Sequence, residues 1–239
     1  MSMADILDRS EYKIERVAFD DALMHEGARL IVRDDRAAII SVGRWNMCVL
    51  ADGGDFYRYA DEYNLYGKIC VFGADNNLPE TVGLYAPACK MFAYLDAMPP
   101  AVDLPRGVTV KRLAPSLAQT VLDAYTNRGG SYTVEHMAEI MRTHGVFGAI
   151  ADGKLAGFIG RHGDGTMGML EVYDGFKRRG IGAALERFLI NYIMTYGRVP
   201  LCDVYTDNTA SLALQHKLGL TPATGYAFWF EKVERLDRK

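Results

Sequence analysis

The stretch from Gly168 to Gly197 constrains this chain more than any other. It reads as a buried strand, a short loop and a long helix. Met167–Val172 is an apolar run of strand length, and Asp174 and Gly175 punctuate a turn over Tyr173–Lys177. From Ile181 the apolar residues Ile181, Leu185, Phe188, Leu189, Tyr192 and Tyr196 recur at helical spacing. Gly197 and Pro200 stop that helix. Lys177, Arg178 and Arg179 stand in a row at its entrance, where the helix dipole disfavours cations unless an anion joins them. Gly180 and Gly182 leave the first-turn N–H groups uncovered. Cations, bare amides and a helix amino end together describe a phosphate site. A solvated basic loop beside a glycine-opened helix is the plainer alternative.

KRRGIG, following a strand that ends in Leu170–Glu171–Val172, resembles the pyrophosphate loop of the GNAT superfamily of N-acetyltransferases. Lys177 stands where that family has Arg or Gln, and Gly180 and Gly182 hold its two small positions. Lysine keeps the charge and loses the fork of donors. The resemblance implies that Val172, Lys177, Arg178, Arg179, Gly180, Ile181, Gly182 and Ala183 bind acetyl-CoA. A second stretch, DVYTDNTASLALQHKLGL from Asp203, resembles the family's other signature. Asn208, Ser211 and Lys217-Leu218-Gly219 match it, with Leu220 in an aromatic position. In the family the Asn and the small residue lie along the pantetheine arm, although Asn208 also reads simply as a helix cap. The resemblance covers residues 107–232. GTMGMLEV with SLALQHKLGL is similar to the glycine N-acyltransferase-like branch, whose members carry an extra amino-terminal half and use amino acids or small amines as acceptors.

Two other phosphate loops compete with this reading. Without Gly-Lys-Ser/Thr there is no Walker loop. A dinucleotide fingerprint has Gly180-Ile181-Gly182 and Asp203 in its favour, but its third small residue would be Leu185. An NAD-binding dehydrogenase therefore ranks third.

The implied reaction is acetyl transfer from acetyl-CoA to a primary amine of a small molecule or amino acid. It needs two partners held in line, a backbone donor for the developing oxyanion, and a route for the ammonium proton. Val172, with Tyr173 beside it, matches the family's donor position. Glu171 is the candidate base, because a carboxylate in a buried strand is costly unless used or paired. Its alternative is a structural Glu bonded to backbone or to an arginine. His162 and Asp164 rank lower, because their turn-rich stretch reads as exposed. The family often has a Tyr where this chain has Gln215, and glutamine is not an acid at neutral pH. Tyr173 and Tyr205 are replacement acids. Otherwise the thiolate leaves unprotonated, its reference pKa being about 8.5. Gln215 also supports a second reading, a CoA-binding sensor without turnover.

Composition sets the frame. The chain has 239 residues, 49% of them hydrophobic, with a formal charge of −3. That is a globular composition, and the charge argues against a nucleic-acid partner. Residues 1–105 hold 10 Lys/Arg against 17 Asp/Glu, and residues 106–239 hold 17 against 13. The basic half is the one with the anion loop, as a polyanionic cofactor would favour. No apolar run has membrane-spanning length and no signal pattern opens the chain, so a cytoplasmic protein is expected. Cys48, Cys70, Cys89 and Cys202 form no CxxC pair and read as reduced core residues, and no metal is expected. A homodimer is left open.

The fold expectation is α/β with a mixed sheet: a GNAT-like domain over 107–239, and a smaller α/β domain over 1–98 compatible with a degenerate copy of it. The first domain reads as helix over 1–28, then three short strands as an antiparallel meander. An aromatic helix (55–66), strand (68–72), helix (78–85) and strand (90–95) follow. Three prolines between Pro99 and Pro105 mark 99–106 as the linker.

Overall fold

The computed structural model describes residues 5–73, 86–126 and 132–234. In chain order the elements are α1 (Lys13–Ala22), β1 (Arg29–Arg33), β2 (Ala37–Val42), β3 (Trp45–Leu50), α2 (Phe56–Tyr63), β4 (Gly67–Gly73), β5 (Ala88–Ala93) and β6 (Val108–Arg112). Then come α3 (Ala118–Ala124), α4 (Val134–Thr143), β7 (Val146–Ala151), β8 (Lys154–Arg161), β9 (Met167–Val172) and α5 (Ile181–Met194). The chain finishes with β10 (Leu201–Tyr205), α6 (Thr209–Lys217), β11 (Thr221–Pro222) and β12 (Tyr226–Val233). The protein is mixed α/β, as the periodicities require. The first helix is shorter than its apolar pattern, with 3-10 turns at Ile6–Asp8 and Ser10–Tyr12 ahead of it. The helix expected over 78–85 lies outside the described residues.

Two compact units form, Met1–Ala93 with Asp203–Lys239, and Tyr94–Cys202. They cut the chain differently from the proline-rich boundary. Residues 99–106 lie wholly inside the second unit, where Asn191 Nδ2 of α5 donates to Pro100 O at 2.7 Å. The carboxy-terminal segment groups with the first unit because β12 pairs antiparallel with both β4 and β5.

In the first unit, β1, β2 and β3 form the expected antiparallel meander, and β3 runs parallel to β4. Ile39, Cys48, Ile69, Val71, Phe228 and Phe230 build the core with Phe56 and Tyr59 of α2. Phe56 and Tyr59 are thus core packing, with Tyr57 and Tyr66 half-buried against that core and Tyr63 exposed. Each fully buried aromatic contributes about 2–3 kcal/mol. Asn64, at φ +53, ends α2 in the left-handed region, where Asn is among the better tolerated residues.

In the second unit, β6, β7, β8 and β9 pair antiparallel in sequence order, and Cys202 of β10 pairs parallel with Met167. The β7–β8 turn is Asp152-Gly153, both at positive φ, as a two-residue Asp-Gly hairpin demands. Val146 packs with α3 and α4, while its neighbour Phe147 meets Phe188 and Tyr192 of α5 at 5.1 and 4.8 Å. Alternate residues of a strand face opposite sides, so helices cover both faces.

One irregularity decides what β9 presents. Phe158 pairs with Glu171 and Gly160 with Gly168, so three steps on β9 oppose two on β8. The extra residue is a β-bulge, and buried Met169 sits within it at φ +54. A non-glycine residue in that region is strained. Glu171 consequently shares the face of Phe158 and Gly168, toward α3 and α4. With strict alternation it would face α5.

Candidate functional site

The loop between β9 and α5 exposes Lys177, Arg178, Arg179 and Gly180. Arg178 (φ +60) and Gly180 (φ +79) both take left-handed backbone, and Gly180 is the helix N-cap without a side-chain cap bond. The first intrahelical bond runs from Ala184 N to Gly180 O at 3.1 Å. The N–H groups of Ile181, Gly182 and Ala183 therefore precede the helix ladder. A β-carbon on Gly182 would lie 3.6 Å from Val172 Cγ2 and 4.0 Å from Leu170 Cδ2. The helix start thus rests on the end of β9, on the face opposite Glu171. Lys177 Nζ pairs with Asp174 Oδ1 at 2.6 Å, which holds the lysine pKa up and the aspartate pKa down. Arg179 lies 3.7 Å from Asp152 and 5.2 Å from the centre of the Phe176 ring.

On the other face, Glu171 Oε1 accepts two hydrogen bonds from Thr126, from N at 2.8 Å and from Oγ1 at 2.5 Å. Thr126 follows α3 by two residues. Tyr173 lies edge-on to Phe158 at 6.3 Å, and burial pushes its phenol above the ordinary value, with the Glu171 charge adding to the effect. Tyr173 N donates to Ala156 O at 2.9 Å, so that amide serves the β8–β9 junction.

The reading of His162 as an exposed turn residue is corrected. Its Nδ1 is 2.7 Å from Tyr132 Oη, and burial lowers its pKa, with Asp164 opposing. The ring lies against Gly168. Tyr132 also packs on Tyr125 and His136. No local pattern announced the Tyr132–His162 pair, which joins a helix entrance to a hairpin turn. Gly168 was its nearest signal, a strand position without a side chain.

In the first unit, Asn208 caps α6 with Oδ1 accepting from Ser211 N at 3.1 Å. Its Nδ2 has no hydrogen bond among the described residues. Gln215 is buried, and its carbonyl receives Leu220 N at 3.1 Å and Leu218 N at 3.2 Å. Tyr205 is exposed.

Residues 143–229 match the family model described as FR47-like protein. A GCN5-related N-acetyltransferase from Kribbella flavida superposes with a TM-score of 0.53 at 13% identity, over 93% of this chain and 95% of that one. The chain shares the fold of that GCN5-related N-acetyltransferase. An acetyltransferase from the GNAT family of Colwellia psychrerythraea gives 0.51 at 14%, over 98% and 100% of the two chains. A Drosophila protein gives 0.59 at 18%, over 83% and 75%. No curated protein matches the chain in sequence. At these identities the structural likeness is one of fold.

The KRRGIG stretch, which resembles a GNAT signature, occupies the β9–α5 junction, the place where the amides of residues 181–183 lie ahead of the helix ladder. The donor set suits an anion: three amides at a dipole's positive end and three exposed cations around them. Among the described residues no group of three His, Cys, Asp or Glu could hold a metal, and no helix is long and apolar enough to cross a membrane.

Proposed function

We propose that this protein is a member of the GNAT superfamily, an acetyl-CoA-dependent N-acyltransferase acting on a primary amine of a small molecule or amino acid. The observation that carries the reading is the shared end of β9. One face meets the anion-type start of α5 through Leu170 and Val172, and the other presents Glu171 and Tyr173. Acyl transfer needs this juxtaposition of a cofactor seat and a proton acceptor.

Acetyl-CoA supplies an acyl group activated as a thioester. Ile181, Gly182 and Ala183 hold its diphosphate through backbone amides, with Lys177, Arg178 and Arg179 adding charge. Glu171 takes the proton of the incoming ammonium. Tyr173, its phenol kept protonated by burial, donates to the leaving group.

Calorimetric titration of CoA and a mass-resolved product screen with acetyl-CoA and an amine panel test the reading. Heat on CoA addition, none with NAD, and an acetylated amine are expected. Binding without turnover would favour the CoA sensor that Gln215 allows. No CoA binding would end both.

A further inference from the structure

We propose that Thr126 is the positioning residue of the candidate base, and that Glu171 Oε2 is the oxygen that accepts the ammonium proton. The inference rests on the acyltransferase reading above and adds a residue to it.

Two constraints fix the Glu171 carboxylate. The bulge at Met169 sets its face, turning the side chain toward α3 and α4. The neighbouring strand lies close beneath it, since a β-carbon on Gly157 would overlap Glu171 O and lie 3.0 Å from Val172 Cα. Thr126 then sets the rotamer. Its N–H and its hydroxyl both donate to the same oxygen, Oε1. A carboxylate oxygen so loaded has few lone-pair directions left, and it is the poorer proton acceptor of the two. Oε2 takes no hydrogen bond among the described residues. The two oxygens therefore differ: Oε1 carries both Thr126 bonds and Oε2 neither.

Thr126 itself is exposed and outside any helix or strand, so replacing it leaves the core untouched. The asymmetry also assigns one donor to the side chain and one to the backbone. Substitution removes only the hydroxyl, so a partial loss is expected.

The test uses the full chain with acetyl-CoA and the amine that the panel shows to be acetylated fastest, with hydroxylamine as a second acceptor. Hydroxylamine is largely unprotonated at neutral pH and needs no base to free its lone pair before it attacks. For Thr126→Val we expect kcat with the amine to fall about tenfold, KM for acetyl-CoA to stay within about twofold, and the hydroxylamine rate to hold. Thr126→Ser, which restores a hydroxyl, should return kcat to within about twofold of the parent. Equal losses with both acceptors, or an unchanged Thr126→Val enzyme, would overturn the positioning role. If the unaltered protein acetylates no amine, the acyltransferase reading fails and this inference with it.

Discussion

The imidazole of His162 occupies the space above Gly168 where a β-carbon would stand. A strand position without a side chain leaves room for a ring from the neighbouring turn, whose Nε2 end lies nearest the glycine while Nδ1 meets Tyr132 Oη at 2.7 Å. Gly168→Ala should therefore overpack this contact, costing about 1–3 kcal/mol. Chemical denaturation would show it as a lowered midpoint. A histidine NMR resonance should shift in the same variant, because the ring must leave Tyr132.

Gly182 and Gly180 are small for different reasons. Gly182 has ordinary van der Waals room, 3.6 Å to Val172, whereas Gly180 needs φ +79. Gly182→Ala should keep a folded protein. Gly182→Glu should abolish CoA binding by calorimetry, because a carboxylate would stand in the diphosphate seat. Retained affinity would remove the anion assignment. Gly180→Ala should lower stability by about 1 kcal/mol through backbone strain alone.

Glu171→Gln keeps the shape and removes the proton acceptor. Turnover should fall by about a hundredfold or more while the CoA dissociation constant changes less than about twofold. Steady-state rates and calorimetry on the same sample separate the two effects. An undiminished rate would leave Glu171 as a strut for Thr126.

Glu15 on α1 is buried, and its Oε2 has no hydrogen-bond partner among the described residues. Burial raises its pKa from 4.5 to about 7, with Lys90 the nearby opposing charge. Below the unfolded value both states hold the proton and ionisation costs nothing. Between about 4.5 and 7 the unfolded chain releases its proton first, so stability falls as pH rises, by about 3 kcal/mol in all. Glu15→Gln should cancel that slope. Its advantage in urea denaturation should be roughly 2 kcal/mol larger at pH 8 than at pH 5.

Much of the local structure was legible. Helix α4 and strands β7, β9, β10 and β12 follow runs of apolar residues that the sequence states openly, and Asp152-Gly153 marks its own turn. The loop from Lys177 to Gly182 was legible because its chemistry is contiguous. What escaped were relations between distant residues. Nothing near Met169 announces a bulge, yet it decides which way Glu171 looks. Nothing near Thr126 announces a carboxylate 45 positions away. His162 looked like a turn residue because its neighbours are Gly and Asp, while its burial comes from Tyr132 and Gly168. The proline-rich stretch read as a linker from composition, and Asn191 docks it.

The place of β12 between β4 and β5 carries a consequence for biosynthesis. On the ribosome its partners emerge on the order of 150 residues earlier, which at roughly 5–20 residues per second is about 8–30 seconds of waiting. During that interval β4 and β5 lack the strand that separates them, and their apolar faces stand open to stray pairing. The contiguous stretch from Tyr94 to Cys202 can close on its own contacts meanwhile. A nascent chain stalled before Tyr226 should thus show one protected unit and one that chaperones still hold.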